Sequence, residues 1–161
     1  MTDIAISFTL NGKAQKLAVA PNVTVADMLR DHFALTGCKV GCDEGVCGAC
    51  TVIVDGAPVS ACNTFAFSAD GRSITTIEGL AAAGTLHRVQ QAFLDSGAFE
   101  CGFCTSGMIL SIATLLAREP APDEATIRDW LAGNICRCTG YRQIRDAIER
   151  AIHAAPAEAA S

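Results

Sequence analysis

The sequence predicts an α+β fold, a mixed sheet first and an all-helical segment after it. Three observations carry this. Apolar and polar side chains alternate over residues 4–10, as a half-buried strand requires. The turn dipeptides Asn11-Gly12 and Asp55-Gly56 each stand between β-rich runs. After residue 77 the apolar spacing changes from two to three and four, which is the period of a helix. The expected division is therefore 1–77, 78–155 and a short flexible tail at 156–161.

In the first part, Ile4, Ile6, Phe8 and Leu10 mark one face of a strand, and Lys13–Val19 returns as its partner. Pro21-Asn22 breaks the run. Thr24 with Asp27 three residues on resembles a capping box, with Asp in place of Glu or Gln. A helix is expected from there to about Phe33, burying Val25, Met28 and Leu29. The loop Gly37–Cys50 is rich in glycine. Thr51–Val54 and Ala57–Ala61 form a second hairpin, and Ser73–Ile77 a last strand. Strand, hairpin, helix, loop, hairpin and strand in that order suggest a β-grasp arrangement.

Four helices are expected in the second part. Leu86–Leu94 has helical spacing through Leu86, Val89, Gln90, Phe93 and Leu94. Thr105–Arg118 is strongly apolar, and Pro120 and Pro122 stop it. Asp123 caps a third helix carrying Ile127, Trp130 and Leu131, which Gly133 ends. The fourth runs from Tyr141 to about Ala154 with Ile144, Ala147, Ile148 and Ile152 inward. Together they suggest a four-helix bundle.

Lys and Arg number 12 against 17 Asp and Glu, a net charge of −5. Phosphate backbones recruit basic surfaces, so the balance argues against a nucleic-acid partner. Met1–Leu10 lacks the basic start of a signal peptide, and no apolar run reaches the roughly 18 residues of a membrane span. A cytoplasmic chain without a span is the expectation. Nine cysteines then suggest metal sites rather than disulfides.

Cys42, Cys47 and Cys50 stand at C-x4-C-x2-C, and Cys62 follows after eleven residues. This is the plant-type spacing for a [2Fe–2S] cluster held by four thiolates. Zinc prefers two separated C-x2-4-C pairs, which this loop is not. Such a cluster is anionic, so it needs donors aimed at its sulfurs. Gly41, Gly45 and Gly48 let backbone N–H groups wrap close. The Asp55-Gly56 hairpin returns the chain to the same end of the sheet, which accounts for the gap before Cys62. Cys38 is a fifth cysteine here. The plain reading is a buried thiol, and the alternative is a substitute ligand for Cys42.

Cys101-x2-Cys104 and Cys136-x-Cys138 form a second group. Cys104 immediately precedes the second helix, and Cys136 and Cys138 precede the fourth. Helix N-termini favour anions. Zinc with four thiolates is also anionic, so spacing and placement leave both zinc and iron–sulfur open for this group.

The segments G-C-D-E-G-V-C-G-A-C-T-V, C-G-F-C-T-S-G-M and G-N-I-C-R-C-T-G-Y resemble the signature of the small iron–sulfur subunit of molybdenum hydroxylases, the family of xanthine dehydrogenase, aldehyde oxidoreductase and carbon monoxide dehydrogenase. The resemblance runs from about residue 3 to about residue 152. It implies a ferredoxin-like domain with one [2Fe–2S] cluster on Cys42, Cys47, Cys50 and Cys62, and a helical domain with another on Cys101, Cys104, Cys136 and Cys138. It further implies a large partner subunit with a molybdopterin-type cofactor and a medium subunit with FAD. Electrons would pass from molybdenum through the helical-domain cluster, then through the ferredoxin-like one.

The same resemblance places Cys138 and Glu100 near the pterin. The family often has Gln at the latter position. A carboxylate still accepts hydrogen bonds from pterin N–H groups, and the plain alternative is an exposed Glu. Ser106 stands where the family usually has Pro, and both tolerate a helix start. Among other residues, Trp130 reads as core packing, His32, His87 and His153 as scattered surface or helix-end groups, and Arg137, Asp43 and Glu44 as solvated charges or partner contacts. No nucleophile–base pair, phosphate loop or dinucleotide fingerprint is present in the sequence. The chain thus reads as an electron carrier without a substrate site of its own.

Overall fold

The computed structural model describes residues 2–81 and 84–154. The first half is a five-stranded mixed sheet in the order β2-β1-β5-β3-β4. β1 (Ile4–Leu10) and β2 (Lys13–Val19) pair antiparallel, Ile4 opposite Val19 and Leu10 opposite Lys13. Asn11 and Gly12 join them with φ of 49° and 77°, the doubly left-handed turn that matches strand twist. Asp55 and Gly56 repeat the device, with φ of 48° and 76°, between β3 (Thr51–Val54) and β4 (Ala57–Ser60). β5 (Ser73–Thr75) lies between the two hairpins, parallel to β1 and antiparallel to β3.

One helical segment covers this sheet. Thr24 caps α1 (Val25–Asp27), with both arms of the capping box formed, and the chain continues into a π-helical turn (Met28–His32). The helix expected to Phe33 is thus a single α turn followed by a wider one. Val25, Ala26, Met28 and Leu29 are fully enclosed against Ile6, Phe8, Val52 and Ile74. Phe33 meets Phe8 edge to face at 5.9 Å.

The last strand is shorter than expected. It stops at Thr75, and Ile77 begins a short helix, α2 (Ile77–Leu80), whose Ile77 and Leu80 pack on the helical core. The sequence pattern obscured this helix because Gly79 interrupts it. α3 (Arg88–Asp95), α4 (Thr105–Arg118), α5 (Glu124–Ala132) and α6 (Arg142–His153) follow. In α3 the inward face is Val89, Ala92 and Phe93. Leu86 lies before the His87 cap and Leu94 turns outward, 53% exposed, so neither joins the core. The tail expected at 156–161 lies outside the described residues.

α4 carries the second core. Gly107–Leu116 is buried without interruption, because one side of the helix packs on β3 and β4 and the others on α2, α3 and α5. The two halves therefore share a helix as their contact. None of the helices among the described residues is long and apolar enough to cross a membrane.

Candidate metal centres

Nearly the whole segment from Phe33 to Cys50 lacks regular structure, and it wraps around its own sulfurs. Gly45 and Gly48 take φ of 74° and 73°, as does Asp43 at 59°. Gly41 serves differently: a Cβ there would meet the Cys47 sulfur at 3.2 Å and the Phe103 ring at 3.3 Å. The amides of Glu44 and Cys47 both donate to Cys42 Sγ at 3.4 Å. These amides, Glu44 foremost, bring the Cys42 thiol down to about 6.

β3 and β4 deliver the other two sulfurs. Cys50 directly precedes β3, and Cys62 sits in the short 3-10 turn Ala61–Asn63 that follows β4. Their sulfurs lie 3.3 Å apart, and Cys62 N–H donates to Cys50 Sγ at 3.5 Å. Burial first, then the Cys50 thiol, pushes the Cys62 thiol up to about 12.

The second group assembles at the mouth of the helical half. Cys104 is the residue before α4, and Cys136 and Cys138 lie in the loop before α6. Cys101 and Cys138 have their sulfurs 3.7 Å apart on the exposed surface. The Cys104 thiol, pushed up to about 12 by burial, pairs with Cys136. Burial works against ionising Cys136, but the hydroxyl and amide of Thr139 outweigh it and hold the thiol below its usual range. The contact with Cys101 raises the Cys138 thiol.

The eight predicted sulfurs fall into four neighbouring pairs: Cys50 with Cys62 at 3.3 Å, Cys101 with Cys138 at 3.7 Å, and, by the interaction of their thiols, Cys42 with Cys47 and Cys104 with Cys136. Two thiolates on one tetrahedral metal stand about 3.8 Å apart for metal–sulfur bonds of ~2.3 Å. The 3.3 Å and 3.7 Å pairs, one in each half, come near this value, and two thiol pairs in each half suit a pair of two-iron clusters in which each iron would take two thiolates. Among the described residues no three His, Cys, Asp or Glu side chains close on a single point. A positive centre between the sulfurs would favour the thiolate form against the burial and thiol–thiol contacts that raise Cys62 and Cys104.

Cys38 belongs to no pair. It is 3% exposed, its thiol donates to the Cys50 carbonyl at 3.5 Å, and burial pushes it up to about 12. Glu100 is exposed beside Cys101, among the exposed rings of Phe99 and Phe103. Trp130 packs against the helical core with the Arg118 guanidinium 5.8 Å above its ring.

Sequence reasoning missed the joint between the two cysteine loops. Ile135 N–H donates to the Cys47 carbonyl at 2.9 Å, and Asn134 Nδ2 to the Gly48 carbonyl at 3.0 Å. Tyr141 Oη donates to the Asn134 carbonyl at 3.0 Å and accepts from Cys136 N–H at 2.8 Å. Ser106, the departure at the start of α4, donates from Oγ to the Gly37 carbonyl at 2.6 Å. A buried Asn between a helix-ending Gly and a cysteine motif was the available signal.

Comparison with known proteins finds a cluster-binding domain in each half of the chain. The model for the 2Fe-2S iron-sulfur cluster binding domain matches residues 8–74, and that for the [2Fe-2S] binding domain matches residues 76–149. The chain is 46% identical over 152 residues to the nicotinate dehydrogenase small FeS subunit of Eubacterium barkeri, covering 94% of this chain and 97% of that one. Quinoline 2-oxidoreductase from Pseudomonas putida 86 contains a chain of TM-score 0.90 and 45% identity, with 94% of each chain covered. Aldehyde oxidoreductase from Desulfovibrio gigas matches with a TM-score of 0.87 and 44% identity over 92% of this chain, as 17% of a longer one. Paired thiols, two cluster-domain matches and near-complete coverage of a small FeS subunit lead to one conclusion: the chain belongs to the small iron–sulfur subunits of the molybdenum hydroxylases, which transfer electrons through two [2Fe–2S] domains within a multi-subunit oxidoreductase.

Proposed function

We propose that Cys42, Cys47, Cys50 and Cys62 hold one [2Fe–2S] cluster and Cys101, Cys104, Cys136 and Cys138 the other. The observation that carries this is the four thiol pairs, with Cys38 outside all of them. When bound, the clusters supply one-electron steps between a molybdopterin-type centre on a large partner subunit and a flavin on a medium one.

The chain's own residues do the rest. A β-grasp domain ending near residue 77 shelters the first set behind Cys50 and Cys62, both buried. A four-helix bundle over 78–155 presents the second at the surface through Cys101 and Cys138, both exposed. That exposed side is the entry. Phe99, Phe103 and Ile135, exposed and close in sequence to its cysteines, offer apolar surface suited to a large-subunit contact, and Glu100 and Cys138 offer hydrogen-bonding atoms to a pterin there. Free thiols throughout suit a reducing cytoplasm.

The test is the complex purified from its native source. About four irons per chain, no stoichiometric zinc, and two distinct [2Fe–2S] signals in electron paramagnetic resonance (EPR) are expected after reduction. Molybdenum- and flavin-containing partners should co-purify. Zinc at the second set, or a chain that elutes alone, would sink the proposal.

A further inference from the structure

The two cysteine loops meet backbone to backbone. Ile135 N–H donates to Cys47 C=O at 2.9 Å, and Ile135 is covalently joined to Cys136. From the Cys47 sulfur to the Cys136 sulfur the chain is therefore continuous, with one hydrogen bond as its single break. Electronic coupling falls more slowly along bonded atoms than across a gap, so this joint is the natural conductor between the two sets.

The joint is held from both sides. Asn134 is 3% exposed, and its side chain is spent on the Gly48 carbonyl, next to Cys47. Tyr141 closes the other side, its hydroxyl bridging the Asn134 carbonyl and the Cys136 amide. That bridge makes residues 134–136 one turn with a fixed direction for the Ile135 amide between them. Tyr141 takes φ of 66°, the left-handed region that a non-glycine residue adopts only at a cost. Gly48 completes the fit: a Cβ there would meet the Gly133 carbonyl at 2.2 Å and Asn134 Nδ2 at 2.4 Å.

We propose that Asn134 and Tyr141 are positioning residues for electron exchange between the two cysteine sets, acting by holding Ile135 N–H on Cys47 C=O. The inference rests on the ligand assignment above. One electron crosses per event. No bond forms or breaks, and no proton moves, because the amide and the carbonyl keep their partners throughout.

The experiment uses the assembled complex. Flash photoreduction followed by rapid-freeze EPR gives the rate at which an electron arriving at one cluster appears at the other. Tyr141→Phe removes both hydrogen bonds of the hydroxyl and keeps the ring. Asn134→Ala cuts the network away from Cys136. Arg118→Met is the control, because it removes another hydrogen bond between the halves, Arg118 to the Gly56 carbonyl at 3.0 Å, far from the sulfurs. Tyr141→Phe and Asn134→Ala should each slow exchange by about tenfold to a hundredfold, the scale on which groups behind a metal ligand act. Iron content, both EPR signals and both midpoint potentials should stay as in the unmodified complex. Hydrogen exchange at segment 133–139 should quicken in both variants, and Arg118→Met should leave the rate alone.

An unchanged rate in both variants, or equal slowing by Arg118→Met, overturns the inference while leaving the ligand assignment intact. Loss of a cluster signal in both variants overturns it too, since the two residues would then be holding ligands in place. Absence of two signals in the unmodified complex is a failure of the assignment itself.

Discussion

The carbonyl oxygen of Gly48 occupies the space that a side chain at position 107 would need. A Cβ built on Gly107 would lie 2.1 Å from it and 3.2 Å from the Ala49 carbonyl. Gly107 is buried in the first turns of α4, and Gly48 sits between Cys47 and the first residues of β3. The sheet half and the helical half therefore touch through the backbone of a cysteine loop.

Gly107→Ala sets two effects against each other. Helix propensity alone favours alanine by about 1 kcal/mol. Overpacking costs roughly 1–3 kcal/mol, and here the obstacle is backbone, which has no second rotamer to adopt. Steric overlap should win. The halves must part, weakening the Asn134 bond to the same Gly48 carbonyl. A fall in melting temperature of a few degrees (about 2–4 °C per kcal/mol at this size) is expected, along with faster hydrogen exchange at the Ile135 amide. A variant that melts at or above the parent would mean that the contact yields without cost.

Much of the fold was legible because its signals are local. Asn11-Gly12 and Asp55-Gly56 specify their turns by conformations that few other pairs adopt, and both turns form. Thr24 and Asp27 cap each other across three residues, and Asp123 caps α5. The eight cysteines that pair were likewise singled out in the sequence, the first four by their spacing and the second four by their placement before helices together with the family resemblance. Which sulfur touches which was not, because Cys101 meets Cys138 only after a whole helical layer has folded between them. Gly48 and Gly107 were opaque for the same reason. A glycine signals a need for space, but what fills that space comes from a distant segment. Leu94 shows the opposite failure, where a regular spacing continued one residue past the face that is buried.

His87 predicts a pH effect. Its ring nitrogen Nδ1 accepts from Val89 N–H at 3.3 Å and caps α3, while Gln90 Oε1 accepts from His87 N–H at 2.9 Å. Capping requires an unprotonated Nδ1. Burial, then the neighbouring Arg88 charge, holds the imidazole below its usual range. The unfolded chain takes up its proton near pH ~6.5, before the folded one does. The stabilisation is therefore whole above that value and declines as pH falls through it toward the folded value. Between about pH 7 and pH 5 the parent should lose stability that His87→Asn keeps, since Asn caps without titrating. The difference should stay under about 1 kcal/mol, the scale of an N-cap. Thermal melts across that range measure it. His32 and His153 are common to both proteins, so parallel curves would remove the cap from the account.

Cys38 tests which sulfurs belong to the first cluster. It lies four residues before Cys42, near enough in sequence to compete for its place. The fold sends it the other way. Its thiol points at the Cys50 carbonyl from within the sheet core, and Arg30 Nη1 anchors its own carbonyl at 2.8 Å. Backbone amides of Glu44 and Cys47 are aimed at Cys42 Sγ, whereas the buried Cys38 thiol meets no other sulfur and is spent on a carbonyl. Cys38→Ser keeps a donor for the Cys50 carbonyl and nearly the same volume, so it should cost about 1 kcal/mol, the net scale of one such hydrogen bond. The full iron content and both EPR signals should remain. Cys42→Ser in parallel should lose the ferredoxin-like signal and spare the helical one. If the two variants exchanged these outcomes, Cys38 would be the ligand, and the loop would have to turn inside out to present it.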